Sequence, residues 1–373
     1  FPPFFDDSTT SINFSFISSS LSYQSPRKPV HVLIISSWRS GSSFIGQIFN
    51  HHDDVFYLFE PGHPVWMRLN TESAEILHYP VRDLFRSLFT CDVSPLYSYL
   101  PNGGQSISEL KFFAESRALC QTPFCAASIP GEGYERNLCF HRCRNASLGK
   151  MEGLCRTYSH VVMKTVRIFN LNILLPLLQD PSLDLRILHF VRDPRAVSAS
   201  RKYFSLTVDD RIVLGEESVI DSQKMKITLG QVMAKICNAQ LAINKAANAA
   251  GESLRDRYMF LRYEDLALDP LENVKKIYNF TGLSLTPQQE KWIYNITHQD
   301  DLKTWGFMPY SRNANVVIQK WRKVLKFSNV QEIERLCKGA MAQFGYLPLK
   351  SPTDLHNLNV MERSDFFSHP LND

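Results

Sequence analysis

Two short polar segments, each directly after an apolar run, contain the residue types that bind phosphate-like anions. The first consists of Ser37, Trp38, Arg39, Ser40, Gly41, Ser42 and Ser43. A helix that begins at Ser42 presents free backbone N–H groups and the positive end of its dipole, which favour an anion. Gly41 allows a tight turn and a close approach by the anion. Arg39 adds a permanent, forked positive charge, so the segment is predicted to be an anion-binding loop.

The second segment has the same pattern, an apolar run followed by the start of a helix. It consists of Arg192, Asp193, Pro194, Arg195, Ala196, Val197, Ser198, Ala199 and Ser200. Asp193 is a favoured N-cap and Pro194 suits the first helical position. Arg192 would then lie at a strand end, and Ser200 could reach the same ligand. Arg195 and the following Arg201 could instead be solvated surface charges. Two such segments suit a nucleotide with phosphates at both its 5′ and 3′ positions.

A nucleoside-triphosphate hydrolase or kinase is the first alternative that these segments raise. Such an enzyme would carry Gly-x-x-x-x-Gly-Lys-Ser/Thr, with the Lys on the phosphates and the hydroxyl on magnesium. The segment around Gly41 has no Lys and no second Gly. We also find no convincing metal-binding Asp at a strand end. The sequence therefore favours a phosphate-like ligand that is bound without a metal.

The elements that must position these segments are five apolar runs of strand length: Val30–Ser36, Val55–Phe59, His160–Lys164, Leu185–Val191 and Tyr258–Arg262. Helical patterns lie between them, so the sequence predicts an α/β fold in which helices cover both faces of a central parallel sheet. Ligands of such sheets bind at the carboxyl ends of the strands, where both polar segments lie. In the C-terminal third, a capping box at Ser328 predicts one helix that reaches Phe344.

Composition places the chain among ordinary globular proteins, since 44% of its 373 residues are hydrophobic and 21% are charged. The formal net charge of +4 is too small to indicate a nucleic-acid partner. We assign residues 1–29 to a stem or linker, 30–360 to one domain and 361–373 to a C-terminal tail. No uninterrupted apolar run approaches the roughly 18 residues that a membrane span needs.

Eight cysteines and four glycosylation sequons indicate an oxidising compartment. Six of the cysteines lie within residues 91–157, which have many turn formers and are predicted to form a Cys-rich insertion. No His pair completes a zinc-finger spacing, so disulfides are favoured over zinc. Sequons without Pro begin at Asn13, Asn145, Asn279 and Asn295. Together these signals predict a lumenal or secreted glycoprotein.

Several segments together resemble one family. The main matches are Ser-Trp-Arg-Ser-Gly-Ser-Ser-Phe at 37–44, Val-Phe-Tyr-Leu-Phe-Glu-Pro at 55–61 and Val-Arg-Asp-Pro-Arg-Ala-Val at 191–197. Further matches are Ser116–Cys120, Arg262–Leu266, Gly282–Pro287, Asn295–His298 and Ser311–Ala314. From His31 to Asn359 the chain is similar to the Golgi carbohydrate 6-O-sulfotransferases, and most similar to the N-acetylglucosamine branch of the intestinal, corneal and lymph-node type.

This resemblance implies a three-layer, P-loop-like sulfotransferase fold and a PAPS co-substrate. PAPS is 3′-phosphoadenosine-5′-phosphosulfate, whose sulfuryl group would pass to a sugar 6-hydroxyl without a metal. Residues 37–43 would bind the 5′-phosphosulfate and residues 192–200 the 3′-phosphate. Arg39 replaces the Lys of cytosolic relatives and would act in catalysis by stabilising the charge that develops on the departing phosphate. Arg312 lies in a late loop that could close over the nucleotide.

The resemblance also suggests residues for the acceptor. Glu60 follows the second predicted strand and would act as the general base for the sugar hydroxyl, although a structural salt bridge is the alternative. Lys164 and Arg167 follow the third strand and would contact acceptor or sulfate. The chain departs from its relatives at His63 and Pro64, where they have an aromatic residue and a His. His63 is thus a second candidate base, and the acceptor contacts of this loop stay open.

The implied partner is a glycan acceptor, namely N-acetylglucosamine-terminated N- or O-glycans and keratan sulfate precursors. A galactose or N-acetylgalactosamine 6-O-sulfotransferase and a non-catalytic glycan-binding relative are the alternatives. Val213-Leu214-Gly215 and Trp38 favour the N-acetylglucosamine branch. The implied location is the Golgi membrane, with a lumenal catalytic domain whose type II signal anchor would precede the stem. The oligomeric state stays open, a homodimer being one option.

Overall fold

A sheet of five parallel strands forms the centre of the molecule. The strands are β1 (Val30–Ile35), β2 (Val55–Phe59), β3 (His160–Thr165), β4 (Asp184–Val191) and β5 (Tyr258–Arg262). Their order across the sheet is β2-β3-β1-β4-β5, with parallel pairing throughout. The five predicted strands are confirmed to within one residue at each end. The computed structural model describes residues 28–100, 106–110, 112–129, 134–204, 206–215, 227–298, 314–360 and 363–364.

The strand order creates a switch point at β1. The chain leaves β1 towards β2 and β3 on one side, and then continues to β4 and β5 on the other. At the carboxyl end of β1, Ile35 lies between Thr165 of β3 and His189 of β4. Ligands of open parallel sheets bind in the crevice at such a point. The loop after β1 is therefore placed where both halves of the sheet can contribute side chains.

Helices cover both faces of the sheet, as predicted. Those on or near the faces are α1 (Ser42–Asn50), α2 (His63–Arg68), α3 (Ala74–Phe89), α6 (Leu175–Gln179), α7 (Pro194–Arg201), α8 (Thr207–Leu214), α9 (Leu229–Ala250), α10 (Tyr263–Leu268), α11 (Pro270–Thr281) and α12 (Pro287–His298). The C-terminal helices are α13 (Ala314–Gln319), α14 (Trp321–Val324), α15 (Phe327–Leu336), α16 (Lys338–Gln343) and α17 (Pro352–His356). The single helix predicted from Ser328 to Phe344 is wrong, because α15 ends before Cys337 and α16 begins after it.

The side chains of the strands alternate between two cores. Leu33 and Ile35 of β1 pack into a core that also contains apolar residues of α3 and α9. Val32 and Ile34 face the opposite side and pack with residues of α1 and α11. All four are fully buried. This explains why the strands appear as nearly continuous apolar runs, as sheets covered on both faces require.

The Cys-rich segment lies between α3 and β3 and contains α4 (Arg136–Cys143), α5 (Lys150–Cys155) and short 3₁₀ turns. Three disulfides hold it: Cys91–Cys155, Cys120–Cys139 and Cys125–Cys143. A fourth disulfide, Cys237–Cys337, joins α9 to the break between α15 and α16. All eight cysteines are thus paired, and the prediction of disulfides is confirmed. Within the described ranges, no helix has both the length and the apolar character to cross a bilayer.

Candidate active site

The loop after β1 folds tightly and enters α1. Gly41 has a φ of 87° and is the N-cap of α1. A Cβ at this position would lie 2.4 Å from Cδ2 of Tyr263, so only glycine fits. Ser40 is fully buried and its hydroxyl donates to the carbonyl of Ser37 at 2.7 Å. Hydrogen bonds from its own hydroxyls therefore fix the loop. The first turn of α1, which contains Ser42 and Ser43, lies at the switch point.

Arg39 joins the two predicted anion loops. Its Nε donates to Oγ of Ser200 in α7 at 3.0 Å, and its guanidinium lies 3.8 Å from the ring centroid of Phe204. The backbone of Arg39 has a φ of 69°, an uncommon value for a residue other than glycine. The structure thus brings Arg39 and Ser200, which are far apart in the sequence, into direct contact.

Arg192 follows β4 and lies beside the first loop. Its Nη1 and Nη2 donate to the carbonyls of Arg39 and Val317, both at 3.3 Å. Its guanidinium lies 4.3 Å from the ring centroid of Tyr263, and its Nε is buried with no hydrogen-bond partner among the described residues. No carboxylate within those residues pairs with this side chain. Arg192 is therefore half-buried and is held in the described structure by two carbonyls and an aromatic ring.

The rest of the second segment supports α7. Asp193 is the N-cap and accepts from the backbone N–H of Arg195 at 2.8 Å. Arg195 is fully buried and pairs with both Asp193 and Glu334. The expectation that Arg195 and Arg201 are surface charges is wrong, since Arg201 is also buried and pairs with Asp210 of α8. Carboxylates at the N-cap of α7, on α8 and on α15 make this burial possible.

The remaining residues of the two segments are mostly packing residues. Ala196, Val197, Ser198 and Ala199 are buried within α7, whose N-terminal turn contains Pro194. Trp38 is also buried and packs against Trp66 and Phe169, with ring centroids 5.6 and 5.8 Å away. Trp38 therefore faces the β2–β3 side of the crevice. Arg312 lies outside the described residues.

Glu60, Lys164 and Arg167 form a buried cluster of charges at the ends of β2 and β3. The carboxylate of Glu60 accepts hydrogen bonds from Nζ of Lys164 and Nη1 of Arg167. Nη2 of Arg167 also lies 3.4 Å from Oδ1 of Asp209 in α8. The three residues that the sequence suggested for the acceptor are thus in contact. Asp209 was not predicted, because nothing in its local sequence indicates a partner on β3.

The charges of this cluster shift the pKa values of its members. Burial disfavours the ionised form of Glu60, but the positive charges of Lys164 and Arg167 outweigh it, so the pKa of Glu60 lies well below its usual range. Burial lowers the pKa of Lys164, and the charge of Glu60 opposes this shift. Burial also raises the pKa of Asp209, against the attraction of Arg167. Glu60 is therefore a carboxylate that is ionised and held by two cations.

His63 begins α2, three residues after Glu60. Its backbone N–H donates to the carbonyl of Glu60 at 2.9 Å, which forms a tight turn. Glu60 itself has a φ of 47°, so the chain reverses sharply after β2. The imidazole of His63 is half-buried. The turn places Glu60 and His63 at the same end of the sheet.

The described sequon asparagines are accessible to solvent. Asn145 is exposed in the turn between α4 and α5, and Asn279 and Asn295 are exposed on α11 and α12. The hydroxyls of Thr281 and Thr297 donate to helix carbonyls at 2.9 and 2.8 Å. Asn13 lies outside the described residues. Glycosylation of all four sites stays a prediction.

The segment that follows β5 contributes residues that sequence reasoning missed. Arg262 and Asp265 form a bidentate ion pair at 2.6 and 2.9 Å. The two residues between them reach the predicted nucleotide loops. Tyr263 contacts Gly41 and Arg192, and Glu264 accepts from the backbone N–H of Asp193. One feature of the sequence could have identified these two residues: their motif directly follows a strand whose carboxyl end lies at the same edge of the sheet.

Comparisons with known proteins identify the family of the chain. The sulfotransferase domain family matches residues 29–345. Human carbohydrate sulfotransferase 6 is 46% identical over 334 residues, which cover 88% of this chain and 84% of that protein. Mouse carbohydrate sulfotransferase 5 is 44% identical over 336 residues, covering 89% and 84%. Mouse carbohydrate sulfotransferase 4 is 41% identical over 336 residues, covering 90% and 86%.

Among solved structures, the sulfotransferase domain from the curacin biosynthetic pathway has a TM-score of 0.42 and 16% identity, and covers 84% of this chain and 98% of its own. The match to the family spans most of the sequence, and the named relatives align along most of their own length. The chain therefore belongs to the sulfotransferase family, within the carbohydrate sulfotransferases, and its activity is the transfer of a sulfuryl group to a carbohydrate.

Proposed function

We propose that this enzyme transfers the sulfuryl group of PAPS to the 6-hydroxyl of N-acetylglucosamine on a glycan. The observation that carries the donor assignment is Arg192, a half-buried cation with a buried, unused Nε, next to the contact between Arg39 and Ser200. A cation held by neutral groups attracts a phosphate without first having to release a carboxylate. PAPS has a 3′-phosphate that would use this charge.

In the proposed arrangement, the 5′-phosphosulfate binds the loop of residues 37–43 and the first turn of α1. The 3′-phosphate binds Arg192 and Ser200 at the start and end of α7. Arg39 lies between the two sites, since its Nε reaches Ser200 at 3.0 Å. From there its guanidinium could follow the charge as it develops on the departing phosphate. Arg312 remains a proposed further contact to the nucleotide.

In the proposed chemical step, the bond between the sugar O6 and sulfur forms while the bond between sulfur and the phosphate oxygen breaks. The nucleotide product, 3′-phosphoadenosine-5′-phosphate (PAP), leaves, and the hydroxyl proton passes to Glu60. Lys164 and Arg167 keep Glu60 ionised, as a base must be, and also make it a weak base. A weak base accepts the proton late, after the hydroxyl oxygen has lost electron density to sulfur. Such help is typically about 100- to 10,000-fold.

The acceptor assignment rests on sequence similarity and on the location of the cluster. The relatives are carbohydrate sulfotransferases. The sequence motifs of this chain resemble those of the N-acetylglucosamine branch. Glu60, Lys164 and Arg167 lie at the carboxyl ends of β2 and β3, on the opposite side of β1 from Arg192. This is where a sugar hydroxyl would face the sulfuryl group. Galactose and N-acetylgalactosamine are the alternatives that the experiment must distinguish.

The proposed location is the Golgi lumen, with the stem following a signal anchor. Four disulfides suit an oxidising compartment, and Asn145, Asn279 and Asn295 are exposed. Treatment of the secreted protein with a glycosidase that removes N-glycans should reduce its apparent mass. A protein that carries no N-glycan when it is made in a eukaryotic secretory pathway would argue against this location.

The decisive experiment uses PAPS with a labelled sulfuryl group and a panel of defined oligosaccharides that end in N-acetylglucosamine, galactose or N-acetylgalactosamine. We expect label on N-acetylglucosamine, at carbon 6 after mapping by mass spectrometry and NMR. An Arg192→Ala variant serves as the background control for donor use. Label on galactose alone would reject the acceptor assignment and leave the donor assignment intact. No transfer to any sugar would reject both.

A further inference from the structure

Glu264 is a buried carboxylate that contacts the backbone of the second anion loop. It is 1% exposed. Its Oε1 accepts from the backbone N–H of Asp193 at 3.1 Å, and its Oε2 accepts from the hydroxyl of Tyr346 at 2.7 Å. Asp193 directly follows Arg192 and caps α7. The side chain of Glu264 therefore helps to fix the turn that presents Arg192.

The charged and titratable groups around Glu264 come from three elements. The β4–α7 junction contributes Asp193 and Arg192, and the segment after α16 contributes Tyr346. Its own segment contains Arg262 and Asp265, which pair with each other. Asp193 is 2% exposed and pairs with Arg195, whereas no cation among the described residues forms an ion pair with Glu264. Glu264 is thus a buried acid next to a second buried acid.

This environment disfavours the ionised form of Glu264. Burial raises its pKa to about 7, the negative charge of Asp193 adds to the shift, and the positive charge of Arg192 opposes it. Arg192 is also the cation that faces the proposed 3′-phosphate. A phosphate that pairs with Arg192 would cancel the one charge in this group that lowers the pKa of Glu264.

We propose that Glu264 is a positioning residue for the 3′-phosphate and that it takes up a proton when the nucleotide binds. This inference rests on the proposed placement of the 3′-phosphate at Arg192. A protonated Glu264 can still accept from the Asp193 N–H through one oxygen. Its new O–H can donate to the Tyr346 hydroxyl, whose oxygen is within hydrogen-bond distance. The turn is then held while a negative charge near the phosphate is removed.

The inference predicts how PAP affinity depends on pH. Because the bound state carries one more proton, PAP affinity should increase as the pH falls towards about 7, by up to about tenfold per pH unit, and should level off below that pH, where Glu264 is protonated with or without PAP. The 3′-phosphate itself titrates near pH 6 and has the opposite effect, since its dianion binds Arg192 best. The sign of the dependence of PAP affinity on pH therefore distinguishes protonation of Glu264 from protonation of the 3′-phosphate.

The test measures dissociation constants by calorimetry between about pH 6.5 and about pH 8.5. Wild-type protein should bind PAP about three- to tenfold more tightly per pH unit as the pH falls, and Glu264→Gln should lose this slope. Glu272→Gln, which removes an exposed glutamate from α11, should keep it. Adenosine 5′-phosphosulfate, which lacks the 3′-phosphate, should show no slope with wild-type protein. A Glu264→Gln variant with the wild-type slope would overturn the inference.

A second measurement needs no variant. Titrating PAP into wild-type protein at about pH 7.5, in buffers of different ionisation enthalpy, gives the number of protons taken up. A value near zero would reject the role of Glu264 even if Glu264→Gln fails to fold. Arg192→Ala separates this inference from the proposed placement. If it leaves PAP affinity unchanged, the placement itself is wrong. Weaker PAP binding by Arg192→Ala, together with no proton uptake by the wild-type protein, rejects only the role of Glu264.

Discussion

Cations are held by different kinds of partner on the two sides of the crevice, at the end of β4 and at the ends of β2 and β3. On the proposed nucleotide side, Arg192 contacts two carbonyls and an aromatic ring. On the proposed acceptor side, Lys164 contacts the carboxylate of Glu60, and Arg167 contacts those of Glu60 and Asp209. A cation that is held by neutral groups still offers its charge to an incoming anion, whereas one paired with carboxylates mainly orients them. This difference suits one side to a phosphate and the other to a neutral hydroxyl.

The largest expected effect concerns Glu60. Glu60→Gln keeps the shape but removes the charge and one of the two acceptor oxygens, so turnover should fall by about 100- to 10,000-fold. PAP affinity should stay nearly unchanged, because Glu60 lies on the acceptor side. Turnover is measured with saturating PAPS and acceptor, and affinity by calorimetry.

Glu115→Gln is the matched control for Glu60→Gln. Glu115 is also buried and ion-paired, with Arg136 in the Cys-rich segment. This variant should lose stability but keep its turnover, which separates loss of the base from loss of a buried charge. If Glu60→Gln keeps most of its turnover, Glu60 is a structural ion pair, and His63→Ala becomes the next variant to measure.

Arg192→Ala should have the next largest effect, on the other side of the crevice. A charged hydrogen bond to a buried phosphate contributes about 1.5–3 kcal/mol, so PAP affinity should fall roughly ten- to 150-fold. Binding of adenosine 5′-phosphosulfate should change much less. Arg186→Ala is the control, because Arg186 lies within β4, which precedes Arg192, and donates to the carbonyl of Phe280. Equal losses for both ligands would mean that Arg192 does not recognise the 3′-phosphate.

Asp209→Asn should have a smaller effect, confined to the acceptor side. The variant removes one partner of Arg167 and leaves Glu60 in place. A half-buried ion pair of this kind contributes about 1 kcal/mol, so kcat/KM for the acceptor should fall roughly fivefold. The PAP dissociation constant should not change. A comparable loss of PAP affinity would show that the two sides are coupled through α8.

Metal removal should have the smallest effect. The proposed chemistry uses Arg39, Arg192 and helix N–H groups to stabilise phosphate charge. Turnover after dialysis against a chelator should therefore equal that of untreated protein. A loss of turnover that only magnesium restores would contradict the proposal. The metal would then supply the positive charge that stabilises the phosphate, so the difference between the partners of the cations on the two sides would no longer explain the chemistry.

The sequence was sufficient to predict the strands and the tight turn after β1 because these depend on local patterns. Apolar runs define strands buried on both faces, and Gly41 after β1 marks a tight turn. Long-range partners could not be predicted in this way. Arg195 looked like a surface residue because its partner Glu334 lies on α15, far along the chain. The break between α15 and α16 at Cys337 could likewise not be predicted, since the sequence around it continues a helical pattern.

The same limit applies to the candidate site. Glu60, Lys164 and Arg167 were each suggested by their position at or just after the end of a strand, and the structure brings them together. Asp209 and Glu264 carry no such local signal. Each acts through a neighbour that is distant in the sequence, Arg167 and Asp193 respectively. Buried polar partners of this kind are set by tertiary packing, which hydrophobic periodicity does not encode.

The disulfide between Cys237 and Cys337 has a consequence for handling the purified protein. It encloses a span of 100 residues, which contains β5 and the Tyr263–Glu264 pair. A protease that cuts once anywhere inside this span separates the chain into two pieces that stay covalently joined. Such a preparation would run as a single band of full size on a non-reducing gel and as two fragments after reduction. Intact mass under reducing conditions is thus the appropriate purity criterion before any binding measurement.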